Sequence, residues 1–249
     1  MQNILAQRGF VACNQSFFTP HIFTYTAKEL DCLKAKDKRL AKAIEKIGTI
    51  TREGERDIFA SVIHHIIAQQ ISTKAQASIW ARFCALFGGM QNWKTSEEEK
   101  AKSTDSQSKQ KAQVLLAIDI DKIRACGISS RKAQYILDFA HKVQSGEFDI
   151  EAVAKMSDEK AIESLIKLRG IGVWTAEMIL LFCLQRKDIL SYDDLALQRG
   201  LKILYALKCE GKNGKIPKEV FATYRARFSP YGSIASLYLW EIASGKFEI

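Results

Sequence analysis

Proline is almost absent from the body of this 249-residue chain: its three prolines are Pro20, Pro217 and Pro230. The long stretch between the first two therefore lacks the residue that removes a helical hydrogen bond and clashes with the preceding turn. Long apolar runs are missing as well. The longest, Met178 to Leu184, falls far short of the ~20 residues that a membrane span needs. Met1-Gln2-Asn3-Ile4 has no basic region followed by an apolar core, so no signal peptide is expected. The six cysteines (Cys13, Cys32, Cys84, Cys126, Cys183, Cys209) form no C-x-x-C pair, which argues against an iron–sulfur ladder or a structural zinc site. His64 and His65 are adjacent, and on a helix such neighbours point about 100° apart, a poor chelating geometry. No metal site made of side chains is expected. Most of the cysteines sit in apolar helical stretches such as Phe83-Cys84-Ala85-Leu86, as reduced core thiols do. A soluble, intracellular protein is expected.

What is present is positive charge and helical periodicity. Thirty-seven Lys and Arg face 28 Asp and Glu, a net charge of +9, which suits a polyanion such as nucleic acid or an anionic membrane surface. A hydrophobic fraction of 47% excludes a wholly disordered chain. The length allows one large domain or two small ones. Ile58, Phe59, Val62, Ile63, Ile66 and Ile67 mark one face of a helix. Ser72-Thr73 caps a second, carrying Ile79, Trp80, Phe83, Leu86 and Phe87 and stopping at Gly88-Gly89. Further helices are predicted over 36–47, 131–143, 158–168, 173–184, 195–207, 218–228 and 233–243. Only His21 to Thr26 has a strand-like composition. The fold class is all-α. Thr95 to Lys111 contains almost nothing apolar and is read as a mobile surface insertion, with a short polar helix as the alternative.

Two motifs carry chemistry. Ser157-Asp158-Glu159 opens an amphipathic helix that ends at Arg169-Gly170-Ile171-Gly172, and the apolar helix Val173-Trp174-Thr175-Ala176-Glu177-Met178 follows at once. Two glycines around one apolar residue permit positive φ and bare the main chain, while the new helix turns its unpaired N–H groups and positive dipole end outward. A phosphate can sit there, with Ile171 as the plug; a plain αα-hairpin is the alternative. One helix later, Tyr192-Asp193-Asp194 precedes Leu195-Ala196-Leu197-Gln198-Arg199-Gly200. An aspartate there is ordinarily an N-cap. The same carboxylate can stabilise developing positive charge or orient a water.

Leu168-Arg169-Gly170-Ile171-Gly172-Val173-Trp174-Thr175-Ala176-Glu177 followed by Tyr192 to Gly200 resembles the helix-hairpin-helix (HhH-GPD) DNA glycosylases, and most closely the 3-methyladenine DNA glycosylase II group. The resemblance extends through Ile66-Ile67-Ala68-Gln69-Gln70-Ile71-Ser72 and Gly127-Ile128-Ser129-Ser130-Arg131-Lys132-Ala133, covering roughly Ala27 to Gly245. It implies two helical subdomains with a cleft between them, one built from 27–54 and 187–249, the other from 55–186, after an N-terminal extension of 1–26. It puts the catalytic aspartate on Asp194, with Asp193 as local support. The phosphate-binding turn falls on Gly170, Ile171 and Gly172, with Thr175 as a further DNA contact. The wedge that fills the space of an extruded base falls on Gln69 or Gln70, with Gln70 favoured and a helix-terminal amide as the alternative. Trp174 and Trp240 are expected to line the base pocket with Met178, core packing being the alternative for each.

The resemblance also implies no required cofactor, and a monovalent cation on the backbone carbonyls of Ile166, Leu168 and Ile171. Trp174 stands where bifunctional relatives carry a lysine, which implies water attack without a Schiff base. The expected partner is double-stranded DNA with a damaged base, bound by a monomer in the cytoplasm or nucleus and away from membranes. The alternatives are a glycosylase for oxidised or mismatched bases and a non-catalytic DNA-binding module.

Overall fold

The computed structural model describes residues 21–86, 104–208 and 214–247. The described residues hold thirteen helices and one two-residue strand pair, β1 (His21–Ile22) against β2 (Glu53–Gly54). The strand expected over 21–26 is thus confined to its first residues, because Thr26 already caps a helix. The chain divides into two compact units. One comprises Ile22–Gly54 with Leu180–Ile249, the other Glu55–Ile179. The second division falls between 179 and 180, inside a helix, and not between 186 and 187 as the resemblance implies.

The first unit contains α1 (Ala27–Lys36), α2 (Lys38–Ile47), α11 (Leu195–Tyr205), α12 (Lys218–Phe228) and α13 (Gly232–Ser244). Thr26 and Glu29 form a reciprocal capping box at the start of α1. The single helix expected over 36–47 is in fact the second of two. Asp37 adopts extended backbone (φ −147°) and its carboxylate accepts the Arg39 and Leu40 N–H groups, so one residue ends α1 and caps α2. Leu197, Leu201 and Leu204 of α11 are buried and pack on α13, whose Ile234, Leu237, Tyr238 and Leu239 are fully buried. Gly200 sets how closely these helices approach: a Cβ there would lie 2.3 Å from the Leu239 carbonyl oxygen. Each such buried Leu stabilises by about 1.5–3 kcal/mol.

The second unit runs through α3 (Ile58–Ala68), α4 (Thr73–Ala85), α5 (Thr104–Leu116), α6 (Ile120–Ala125), α7 (Ser130–Ser145), α8 (Ile150–Lys155) and α9 (Asp158–Leu165) into α10 (Val173–Phe182). Nine of the eleven residues of α3 are buried, so it is a central helix, packed on α4 and α7. Phe59 stacks on Phe139 of α7 at 5.1 Å. Gly88-Gly89, expected to stop the second of these helices, lie outside the described residues.

Over the described part of 95–111 the structure shows the helical alternative in place of a surface insertion. Residues 104–111 are the first turns of α5, which packs on α7 and α8. Ala112 and Leu115 are fully buried, and Ser108 is tucked in with them. Lys111 pairs with Asp57. A polar first half is held because it is continuous with an anchored second half. Residues 95–103 lie outside the described residues.

Cys84, Cys126 and Cys183 are buried thiols and Cys32 is partly exposed; Cys13 and Cys209 lie outside the described residues. Glu55 is buried too. One of its oxygens accepts the Asp57 N–H at 3.1 Å, and Oε2 has no hydrogen-bond partner among the described residues. Burial pushes its carboxyl up to about 8.

Candidate active site and nucleic-acid interface

The glycine turn belongs to the second unit. Helix α9 starts at the Ser157 cap and stops at Leu165, earlier than the expected Leu168. Leu168 and Ile171 are buried and anchor the connection. Gly170 has φ +86°, and a Cβ there would lie 2.4 Å from Cδ2 of Tyr135. Glycine at 170 is therefore required twice, by conformation and by the aromatic ring beneath the turn. Gly172 is different. Its φ is not positive, and a Cβ there would meet nothing within 4 Å. Of the two glycines that permit positive φ, only Gly170 uses it. The fold itself has no use for a bare main chain at that exposed position. What remains is access: the carbonyl of Gly172 accepts the Ala176 N–H at 3.0 Å as α10 begins, and the leading N–H groups of a helix have no acceptor within it.

The second turn of this unit lies between α3 and α4. Gln70 is exposed and left-handed, with φ +58°, a conformation that costs a non-glycine residue of order 1 kcal/mol. Gln69 does something else. Its Nε2 donates to the carbonyl of Gly170 at 2.6 Å, so one of the two wedge candidates is a brace on the glycine turn. The Nζ of Lys132 donates to the carbonyls of Ile67 and Gln69 at 2.8 and 2.6 Å. Of the three residues expected further along α10, Trp174 is half-buried. Thr175 and Met178 are buried, at 6% and 4% exposure. The Thr175 hydroxyl therefore offers little surface to an approaching strand, and Met178 packs as core.

Asp194 belongs to the first unit. It is the N-cap of α11, and its Oδ1 accepts the Ala196 and Leu197 N–H groups at 2.8 and 2.9 Å. The indole N–H of Trp240, on α13, donates to the same oxygen at 3.3 Å. Trp240 is itself half-buried and stacks on Phe182 at 5.6 Å with 17° between the rings. The capping reading of Asp194 holds, and the cap does not use up the side chain: three donors fall on one oxygen of a carboxylate that keeps 7% exposure. The loop ahead of it is fixed as well. Gln198, buried one turn into α11, donates to the Tyr192 carbonyl at 2.8 Å and accepts the Ile216 N–H at 2.9 Å. Asp193 gives no such support; it is exposed and pairs with Lys215 at 2.9 Å, because the α11 cap needs only one carboxylate.

Sequence reasoning missed Phe182, Gln198, Gly200, Lys132 and Tyr135. Gly200 carried a signal, since glycine inside a helix is unfavourable and marks a close backbone approach. Gln198 and Lys132 lay within the motif segments but were given no role there, and Phe182 and Tyr135 carried no signal apart from their contacts. Among the described residues no three His, Cys, Asp or Glu side chains gather as a metal-binding group, and no helix is long and apolar enough to cross a membrane.

Comparison with known proteins adds to this geometry. A crystal structure of a DNA-3-methyladenine glycosidase from Bacillus halodurans superposes with a TM-score of 0.71, at 31% identity over 90% of this chain and 92% of that one. DNA-3-methyladenine glycosylase 1 of Schizosaccharomyces pombe is 29% identical over 82% of this chain and 80% of its own length. A structure of the S. pombe 3-methyladenine DNA glycosylase Mag1 in complex with abasic DNA superposes with a TM-score of 0.65, at 25% identity over 86% and 96% of the two chains. Residues 63–225, which span the glycine turn, the Gln69–Gln70 turn and Asp194, match the model of the HhH-GPD superfamily of base excision DNA repair proteins, and the chain belongs to that family.

Proposed function

We propose that this protein is a monofunctional DNA glycosylase that extrudes alkylated bases, 3-methyladenine among them, and hydrolyses their glycosidic bond to leave an abasic site. The observation that carries the reading is Asp194, a nearly buried carboxylate held by two main-chain N–H groups and an indole.

Ring alkylation leaves a base cationic, so it departs with little help from a general acid, and the sugar left behind is oxocarbenium-like. A fixed carboxylate in a partly dry setting stabilises that charge far better than one in water, and removing such a partner costs several kcal/mol. It also orients the attacking water. Extrusion itself costs a few kcal/mol, which grip on the strand must offset. The +9 charge, the bare Gly172 main chain at the start of α10 and the exposed Gln70 supply that grip. Half-buried aromatic faces such as Trp174 and Trp240 suit a cationic base, at about 0.5–2 kcal/mol per contact.

No lysine stands at 174, so no Schiff base forms and the strand is left uncut. The carbonyls of Ile166, Leu168 and Ile171 are neutral hard oxygens of the kind that hold a monovalent cation. That of Leu168 accepts the Ile171 N–H at 3.1 Å and keeps a second lone pair. A cation held there would supply positive charge toward a DNA phosphate.

The experiment is incubation with methylated duplex DNA and chromatographic identification of the released bases, with borohydride added in parallel. Free alkylated base with intact abasic strands and no trapped adduct is expected. A covalent protein–DNA adduct contradicts monofunctional action, and no released base contradicts the activity.

A further inference from the structure

Lys132, Tyr135 and Asp138 follow one another at three-residue spacing on α7, which places them along one stripe of the helix. Between them they reach two segments far apart in the sequence, the end of α3 and the glycine turn. Lys132 gathers the carbonyls of Ile67 and Gln69 at the end of α3. The ring of Tyr135 lies against the turn, its Cδ2 2.4 Å from where a Gly170 Cβ would be, and carries the Arg169 guanidinium over its face at 5.6 Å. Asp138 accepts from the same Arg169 at 2.7 Å. Between the two outer contacts, the Gln69 amide closes the circuit by donating to the Gly170 carbonyl across 101 positions of sequence.

We propose that this stripe, together with Gln69, is a positioning device that locks the Gln70 turn and the glycine turn into one rigid DNA-facing edge. The physical need is clear from the two turns themselves. Gln70 is held left-handed and exposed, a strained conformation that persists only where its surroundings over-determine it. A side chain that displaces a base must act at a fixed distance from the point where the strand is held; otherwise binding energy goes into moving the protein instead of the base. Lys132 spends two of its three donors on the carbonyls at the end of α3, and Gln69 passes the constraint to the hairpin. Tyr135 and Arg169 hold the hairpin from the other side. None of these side chains needs to touch DNA.

The inference rests on the reading of the chain as a base-extruding glycosylase, and its test separates the two. Gln69→Leu and Lys132→Met are compared with wild type for melting temperature, for fluorescence of 2-aminopurine at the target position of a duplex, and for single-turnover release of the same alkylated base from duplex and from single-stranded DNA. Both variants are expected to melt within a few degrees of wild type. The 2-aminopurine signal on saturation falls severalfold, and release from duplex falls about tenfold further than release from single strands, where there is no stack to open. Equal losses on both substrates, or an undiminished 2-aminopurine signal in either well-folded variant, overturn the positioning role. A wild-type protein that neither releases base nor raises 2-aminopurine fluorescence overturns that role and the glycosylase reading together.

Discussion

Asp194 and Gly172 are both at the start of a helix, and the protein treats them in opposite ways. At Asp194 the side chain is fixed from several sides: two N–H groups and an indole fall on one oxygen, Gln198 pins the approach loop, and Gly200 brings α11 hard against α13. At Gly172 the fold asks for nothing, neither an unusual φ nor room for a neighbour. Under the proposed function, the difference follows from the work each region would do. A carboxylate that must stabilise charge gains from being fixed in place and shielded, since reorganisation during reaction costs rate. Main-chain amides that must receive a phosphate gain from being bare.

That contrast breaks most visibly at Asp194→Asn. Asparagine caps a helix about as well as aspartate, so folding and DNA affinity persist while base release drops by about 10²–10³ or more, measured as a single-turnover rate. The next effect probes the unit that holds the glycine turn. Glu55 is held neutral up to about 8, against 4.5 for the unburied group. The folded protein therefore keeps a proton that the unfolded chain releases, and stability falls as pH rises from 4.5 towards 8, by at most about 1.4 kcal/mol per unit. Melting temperature should decline across that window, and Glu55→Gln should flatten the decline. A slope that survives the substitution assigns it elsewhere.

Smaller again is Gly200→Ala. Its methyl group meets a backbone carbonyl that cannot rotate away, so a loss of about 1–3 kcal/mol is expected, seen as a fall in melting temperature of roughly 3–10 °C. The companion Gly172→Ala meets open space and should leave melting within about 2 °C while weakening duplex binding about tenfold, or ~1.4 kcal/mol. If these two glycines respond alike in both assays, the distinction between a fold glycine and a ligand glycine disappears.

How much of this was legible in the sequence depends on which physical rule wrote the feature. Periodicity is local, so α3, α12 and α13 were readable to within a residue or two. The break at Asp37 was not, because an aspartate amid a helical pattern also reads as a solvated face. The polar start of α5 was misread because composition measures whether a segment can bury itself, and not whether its continuation can hold it. The glycine turn and Asp194 stood out through their motif, but the partners that fix them are scattered: Gln69 to Gly170, Tyr135 to Arg169, Trp240 to Asp194. Contacts between distant positions leave no periodic trace in one sequence. Asp193 and Asp194 differ by a single position, and only the geometry of the α11 cap tells which is held inside and which faces Lys215.

The division of labour between a gripping turn and a reacting carboxylate is tested most directly by single-turnover base release followed as enzyme concentration is raised, in wild type, Asp194→Asn and Gly172→Ala. Asp194→Asn is expected to collapse the plateau rate and keep the half-saturating concentration, whereas Gly172→Ala is expected chiefly to raise the half-saturating concentration. A plateau retained in folded Asp194→Asn, or the same change of both parameters in the two variants, would contradict that division of labour.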